Sequence, residues 1–146
     1  MHHPAHTALH HACAALGTRL FTLTTLDPEN GVVWRSYTSH PAEYPAMGTK
    51  PLVQDAWHEN CIVKRISFIA NTPAEFEKVF FDHALITSMG LGSAMNIPVA
   101  DSLDVVRLTV NLLAESGHFT AARIAAYHAI ATNHRAAIIA ALTAPT

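Results

Sequence analysis

Asp82 and His83 are neighbours near the middle of the chain. An acid beside an imidazole can orient the ring for proton transfer or help hold a polar ligand. Consecutive residues of a helix point about 100° apart, so the same pair also reads as a capping Asp with a surface His behind it. Gly90 and Gly92 make a Gly-x-Gly pair of the kind that cradles phosphates. The full dinucleotide fingerprint needs a third glycine, a strand before it and a helix after it. Here the order is helix before and strand after, so the glycines read as a tight helix-to-strand turn. Around that turn Ser88, Ser93 and Asn96 present polar groups. Tyr44 and Trp57 flank a Pro-rich stretch, and each has a polar handle suited to a pocket wall. Lys50, in the same stretch, can reach an anionic ligand or remain in solvent; Phe68 and Phe76 read as core.

Two other constellations were weighed. His6 and His10 sit four apart on a predicted helix with Cys13 three further on, a face with metal-ligand types. Cys13 also belongs to that helix's apolar stripe and no fourth ligand lies near, so we assign no metal site. His58 and Cys61, three apart, could face the same way for nucleophilic chemistry. Ile62, Val63 and Ile66 make their segment a packing element, where thiols are inert. The sequence assigns no catalytic residue and names no cofactor.

Composition narrows the class. Of 146 residues, 50% are hydrophobic and 14% charged, so the chain has the material for a core. The net charge of −2 offers no general attraction to nucleic acid, and the basic residues form no stripe. Thr120 to Thr143 is crossed by Arg123, His128, Asn133, His134 and Arg135, poor composition for a membrane span. Met1 to Leu16 lacks the basic region of a signal peptide. These features, with two cysteines outside any CxxC motif, lead to the expectation of a cytoplasmic protein that binds neither nucleic acid nor membrane.

The elements that must position the candidate residues follow from periodicity. Ala5, Leu9, Cys13 and Leu16 recur at helical spacing, with Gly17 as the stop. Arg19 to Leu26 and Val32 to Thr38 read as strands joined by the turn Asp27-Pro28-Glu29-Asn30-Gly31. His40 to Pro51 reads as a crossing loop, Asp55 to Lys64 as a helix, and Ser67 to Asn71 as a strand. Thr72 and Pro73 open a helix that runs to Ser88 with a break near Phe81-Asp82. Ser93 to Val99 and Val105 to Leu113 are two further strands, and Thr120 caps a long terminal helix with the stripe Ile124, Tyr127, Ala131, His134, Ile138, Leu142. Strands paired in sequence, without regular alternation with helices, indicate one α+β domain over 1–146. Ile124, Ile130, Ile138, Ile139 and Leu142 spread over more than the third of a helix that a sheet covers, which leads to the expectation of a homodimer.

From Tyr44 to Phe119 the chain resembles a small bacterial GAF domain. The residues that carry the resemblance are Tyr44-Pro45, Gly48-Thr49-Lys50-Pro51, Trp57 and Phe81-Asp82-His83-Ala84-Leu85-Ile86. The string from Ser88 to Val99, which reads Ser-x-Gly-x-Gly-Ser-x-x-Asn-x-Pro-Val from Ser88, continues it. Asn111-Leu112-Leu113 and Gly117-His118-Phe119 close it. The chain departs from the pattern in its last hairpin, where Asp101 to Arg107 replaces a Gly-rich turn. The resemblance implies a central antiparallel sheet, N- and C-terminal helices on one face, and a ligand pocket under the crossing segments on the other. It implies a small-molecule-binding, sensory role, with Tyr44, Lys50, Trp57, Asp82, His83, Ser88, Ser93 and Asn96 as ligand-binding candidates. The alternative is a small enzyme on the same scaffold, using Asp82 and His83 with a nearby Ser or Lys; a dimer without ligand is a third reading. Neither cysteine matches the pattern of the cysteine-based free methionine sulfoxide reductases or of tetrapyrrole attachment.

Overall fold

The computed structural model describes residues 3–46 and 48–142. Helix α1 (Pro4–Ala15) opens the chain, with Pro4 at its first position and the His3 ring accepting the Ala5 N–H as a cap. Strands β1 (Leu20–Asp27) and β2 (Val32–Thr38) form the expected hairpin, paired from Thr22↔Thr38 to Asp27↔Val32 with a register shift between Leu23 and Thr24 that leaves Ser36 as a bulge. Lys50–Pro51, expected within a loop, is instead a two-residue strand, β3, on the edge of β2. A proline is tolerated at such an edge because no further strand needs its missing N–H.

The crossing segments are less regular than their periodicity suggests. Only Ala56–His58 is α-helical (α2), and Glu59–Val63 continues as a π-helical turn. That turn ends at Arg65, whose φ of 58° is left-handed. After the short strand β4 (Phe68–Ala70), the expected helix to Ser88 is two pieces, α3 (Pro73–Phe76) and α4 (His83–Ser88). Thr72 sits at the N-cap of α3, but its hydroxyl donates to Glu75 Oε1 at 3.1 Å and makes no cap bond. Helix α4 closes on Gly90, whose φ is +77°. The Gly90 N–H reaches Thr87 O and the Leu91 N–H reaches Ile86 O, the double closure that needs a left-handed residue. Gly90 is therefore a helix stop, as the order of elements implied.

Strands β5 (Ser93–Ala100) and β6 (Val106–Ala114) pair along their whole length. Their connection does without the Gly-rich turn: Asp104 takes φ 60°, and the Asp101 carboxylate accepts the N–H groups of Leu103 and Val105. The sheet is antiparallel with order β3-β2-β1-β6-β5-β4. Helix α5 (Ala121–Ala140) is capped by Thr120, whose side chain accepts the Arg123 N–H.

Side chains alternate across a strand, so adjacent residues serve opposite faces. Phe21 and Leu23 of β1, Met95, Ile97 and Val99 of β5, and Leu108, Val110 and Leu112 of β6 pack with Leu9 and Cys13 of α1 and Tyr127, Ala131 and Ile138 of α5. Ile124, Ile130, Ile139 and Leu142 pack against this same core, so part of the apolar breadth of α5 is absorbed inside the chain. The outward positions of α5 include Ala122, Ala125, Ala129, Ala136 and Ala140. Among the described residues no helix is long and apolar enough to cross a membrane.

Candidate functional site

The intervening positions of the same strands face the other way. Leu20, Thr22 and Thr24 of β1, Asn96 of β5, and Thr109, Asn111 and Leu113 of β6 form the floor of a cavity of about 310 Å³. Arg35 of β2, Tyr44, Asp55, Trp57, and Val79, Phe80, Phe81, Asp82 and Ile86 also border it. The volume falls within the range of small-molecule pockets. A second hollow, beside α5, contains Arg65, Ser67, His128 and Arg135. Its polar groups are already matched: Arg65 to Asp104 at 3.2 Å, Ser67 to His128 at 2.8 Å, and Arg135 to the Ala100 carbonyl at 2.7 Å.

The floor is a directed hydrogen-bond network. The Trp57 indole N–H donates to Asn96 Oδ1 at 2.9 Å, and Asn96 Nδ2 donates to Asn111 Oδ1 at 3.0 Å. Thr109 Oγ1 donates to the same Asn111 oxygen at 3.1 Å. Asn111 Nδ2 then donates to Thr22 Oγ1 at 3.2 Å and Thr24 Oγ1 at 3.0 Å. Such polar residues are stable on a sheet because each is matched by the next strand.

One wall is built on Tyr44, which is buried although it lies in a loop. Its hydroxyl donates to Asp82 Oδ2 at 2.5 Å, and the Arg35 guanidinium stands 5.0 Å from its ring centroid. Burial and the Asp82 carboxylate both push the Tyr44 phenol far above its ordinary pKa, so it stays a donor. Arg35 also donates to the Pro45 carbonyl at 2.8 Å. Its burial lowers its pKa, while Tyr44 and Asp82 act in the opposite direction. Asp82 occupies the N-cap position of α4 without capping it; its carboxylate faces Tyr44 instead.

Of the eight residues singled out in the sequence, Tyr44, Trp57, Asp82 and Asn96 thus meet around one cavity. Lys50 does not line it; its Nζ lies 5.7 Å from the centroid of the exposed ring of Phe81, which does. His83 is half-buried at the start of α4, beside Asp82 in sequence. Ser88 is exposed and donates to the Leu85 carbonyl at 2.7 Å; Ser93 is buried and donates to the Glu115 carbonyl at 2.6 Å. Thr22, Thr24, Arg35, Thr109 and Asn111 border the cavity and were not singled out. The signal for them was present: polar residues at every second position of strands whose other positions are apolar.

The thiols lie apart from this chemistry. Cys13 is in the core beneath the terminal helices, and Cys61 is buried with its Sγ 4.0 Å from the Asn96 carbonyl. Burial pushes both up to about 12, so both are protonated at neutral pH. His10, which the sequence grouped with His6 and Cys13, stacks on Phe21 and lies 2.6 Å from the Tyr37 hydroxyl through Nδ1. Among the described residues, no three His, Cys, Asp or Glu side chains form a metal-ligand group.

No protein-family model and no curated protein matches the sequence. Solved structures do match its shape. The GAF domain/HD domain protein from Geobacter sulfurreducens superposes with a TM-score of 0.67 at 13% identity, over 91% of this chain and 90% of that one. The GAF domain of a two-component sensor histidine kinase from Bacillus halodurans gives 0.66 at 11%, over 90% and 86%. The chain has the GAF fold. A type II free methionine-R-sulfoxide reductase from Thermoplasma acidophilum is similar at the same level, with a TM-score of 0.65 at 11% identity over 96% and 95% of the two chains. At such identities the GAF fold is common ground and the chemistry is not.

Proposed function

We propose that this GAF-fold chain is a small-molecule-binding, sensory domain whose ligand occupies the cavity between the sheet and the crossing segments. The observation that carries the reading is the cavity itself, with a polar floor of Thr22, Thr24, Asn96, Thr109 and Asn111 facing apolar walls. A core that served packing alone would put apolar side chains on both faces of β1 and β6. Fixed polar groups within a largely apolar hollow are what orient a ligand. Tyr44, Trp57, Asp82 and Asn96 contact the ligand in this reading, and Lys50 and His83 act through their neighbours Phe81 and Asp82. Ser88 and Ser93 support the α4-to-β5 turn.

The reading also includes a cytoplasmic location, suited to two unpaired thiols. It includes a homodimer through α1 and the outward alanines of α5; light scattering at tens of micromolar, about the range for a specific dimer, gives twice the chain mass. A monomer mass there removes the dimer and leaves the cavity reading intact. The cavity reading is tested by native mass spectrometry of the purified protein, followed by denaturation to release small molecules. A stoichiometric adduct that a bulky Asn96→Phe substitution abolishes, with the fold intact by circular dichroism, is the expected outcome. An adduct retained by that variant would place the ligand elsewhere.

A further inference from the structure

The floor network fixes more than the position of a ligand; it fixes the polarity of the group the ligand must present. An indole nitrogen can only donate, so the Asn96 atom facing Trp57 is its oxygen. The other end of that amide is then the NH2 group, and the Asn111 atom it meets is an oxygen. Thr109, donating to the same oxygen, agrees with this orientation. Asn111 therefore turns its NH2 group toward β1, and Thr22 and Thr24 both accept from it. A hydroxyl has one proton. With their oxygens accepting, both threonines keep their protons for another acceptor, and among the described residues neither proton has one. Thr22 and Thr24 are two apart on one strand face, and Arg35 is the direct cross-strand partner of Thr24. All three border the cavity.

We propose that the cavity takes a small carboxylate with an apolar or aromatic body, its carboxylate held by the Thr22 and Thr24 hydroxyls beside Arg35. The assignment rests on the binding reading given above. The donors at this end are two neutral hydroxyls; Arg35, whose guanidinium is bonded to the Pro45 carbonyl, adds positive charge beside them, which suits a group that only accepts. The body lies against Leu20, Val79, Phe80, Phe81 and Ile86, the apolar side of the same cavity. Two acidic residues also border it, and both are engaged. Asp55 accepts the His58 N–H at 2.9 Å as the cap of α2, and Asp82 accepts the Tyr44 hydroxyl. Because hydrogen bonds in a chain polarise one another, an anion at the threonines draws on the whole series back to Trp57. The Trp57 indole N–H is thus a reporter of occupancy on the opposite side of the cavity.

The test uses three probes of one shape: benzoate, benzamide and benzylamine. Each is titrated to about 10 mM, the range of weak fragment binding, while 1H–15N spectra follow the indole N–H of Trp57, assigned with Trp57→Phe. Benzoate is expected to shift that resonance and the amides of Thr22 and Thr24, and to bind about tenfold or more tightly than either other probe. The double variant Thr22→Val/Thr24→Val should lose that preference, and Thr22→Ser/Thr24→Ser should keep it, because serine retains the donor without the methyl group. If benzylamine wins, the carboxylates of Asp55 and Asp82 dominate and the proposal is overturned; if benzamide equals benzoate, the charge plays no part and it is overturned as well. In both cases the cavity still binds, and the broader reading stands. If no probe shifts any cavity resonance, the proposal is overturned, and the broader reading is decided by the native mass spectrometry described above. Should the valine pair fail to fold, retention of the benzoate preference in Arg35→Met with either single valine variant would overturn the proposal equally.

Discussion

The two faces of one sheet are built from the same strands and differ in nearly everything else. On the helix face, Phe21, Leu23, Met95, Val110 and Leu112 are at most 1% exposed and meet α1 and α5. On the cavity face, the residues between them are Thr22, Thr24, Asn96 and Asn111, joined by side-chain hydrogen bonds that run across three strands. Burial of apolar area drives folding, whereas a satisfied polar network adds little net stability and much specificity. In the reading proposed above, stability and binding are carried by adjacent residues of the same strand. Substitutions at consecutive positions should therefore separate them.

The largest expected effect is on the helix face. Leu23 is 1% exposed between α1 and the sheet, so Leu23→Ala leaves a hole that neighbouring side chains fill only in part. A loss of about 2–5 kcal/mol is expected in urea unfolding at neutral pH, while any folded variant retains the ligand affinity of the parent chain. A loss of affinity in the folded fraction equal to the loss of stability would show that the two faces are not separable.

A smaller effect tests a polar cluster on the helix side, where the end of α1, the loop after β6 and α5 converge. Thr18 donates to the Tyr127 hydroxyl at 2.8 Å, and that hydroxyl lies 2.7 Å from His118 Nε2. Which of Tyr127 and His118 donates in that contact follows from the His118 tautomer. Nδ1 lies 3.5 Å from Glu115 Oε1, near enough for attraction but without a hydrogen bond. Gly17 closes the cluster at φ 105°, and a Cβ there would stand 2.8 Å from His118 Cε1. Burial lowers the pKa of His118, against the pull of Glu115 and with the push of Arg123. The unfolded chain then takes up a proton at about pH 6.5, and the folded chain only at lower pH. The contribution of a neutral His118 is thus complete above about pH 6.5 and is lost as pH falls from there toward the folded pKa. Melting temperatures at pH 7.5 and 5.5 should show a drop on acidification, reduced in His118→Gln, which can still hydrogen-bond Tyr127. An equal drop in the variant would show that His118 does not carry the effect.

The contrast between faces also explains what could be read from the residues alone. Alternation in β1, β2, β5 and β6 and the stripes of α1 and α5 are consequences of burying one face, so periodicity revealed them. The crossing segments bury few residues each: His58 and Cys61 in α2 and the π-helical turn, Phe76 in α3, Ile86 in α4. Their form is set by contacts distant in sequence, such as Tyr44 to Asp82 and Trp57 to Asn96, which no local pattern encodes. That is why the break expected near Phe81-Asp82 proves wider than the periodicity suggests, with α3 ending at Phe76 and α4 starting at His83, and why β3 read as loop. Of the polar floor only Asn96 was singled out, and the rest was missed for a different reason. Thr22, Thr24 and Thr109 are ordinary strand residues by propensity. The hub, Asn111, is unusual in a strand, as Asn96 is, but its significance rests on which neighbours it meets.

The smallest expected effect lies one residue from the largest. Thr22 is 6% exposed on the cavity face, directly preceding Leu23. Thr22→Val keeps the branched shape and suits a strand at least as well. It removes one of the two hydroxyls that accept from Asn111 Nδ2, and Thr24, at 3.0 Å, remains. The lost bond and the gain in apolar burial act in opposite directions, so the net change in unfolding free energy should stay within about 1 kcal/mol. The affinity for a cavity ligand should nevertheless fall, because the proton that Thr22 offers is gone. Urea unfolding and ligand titration on the same preparation measure both quantities. Destabilisation of 2 kcal/mol or more, on the order of a lost core side chain, would mean that the floor network holds the sheet together. The division between a face that folds and a face that binds would then be wrong.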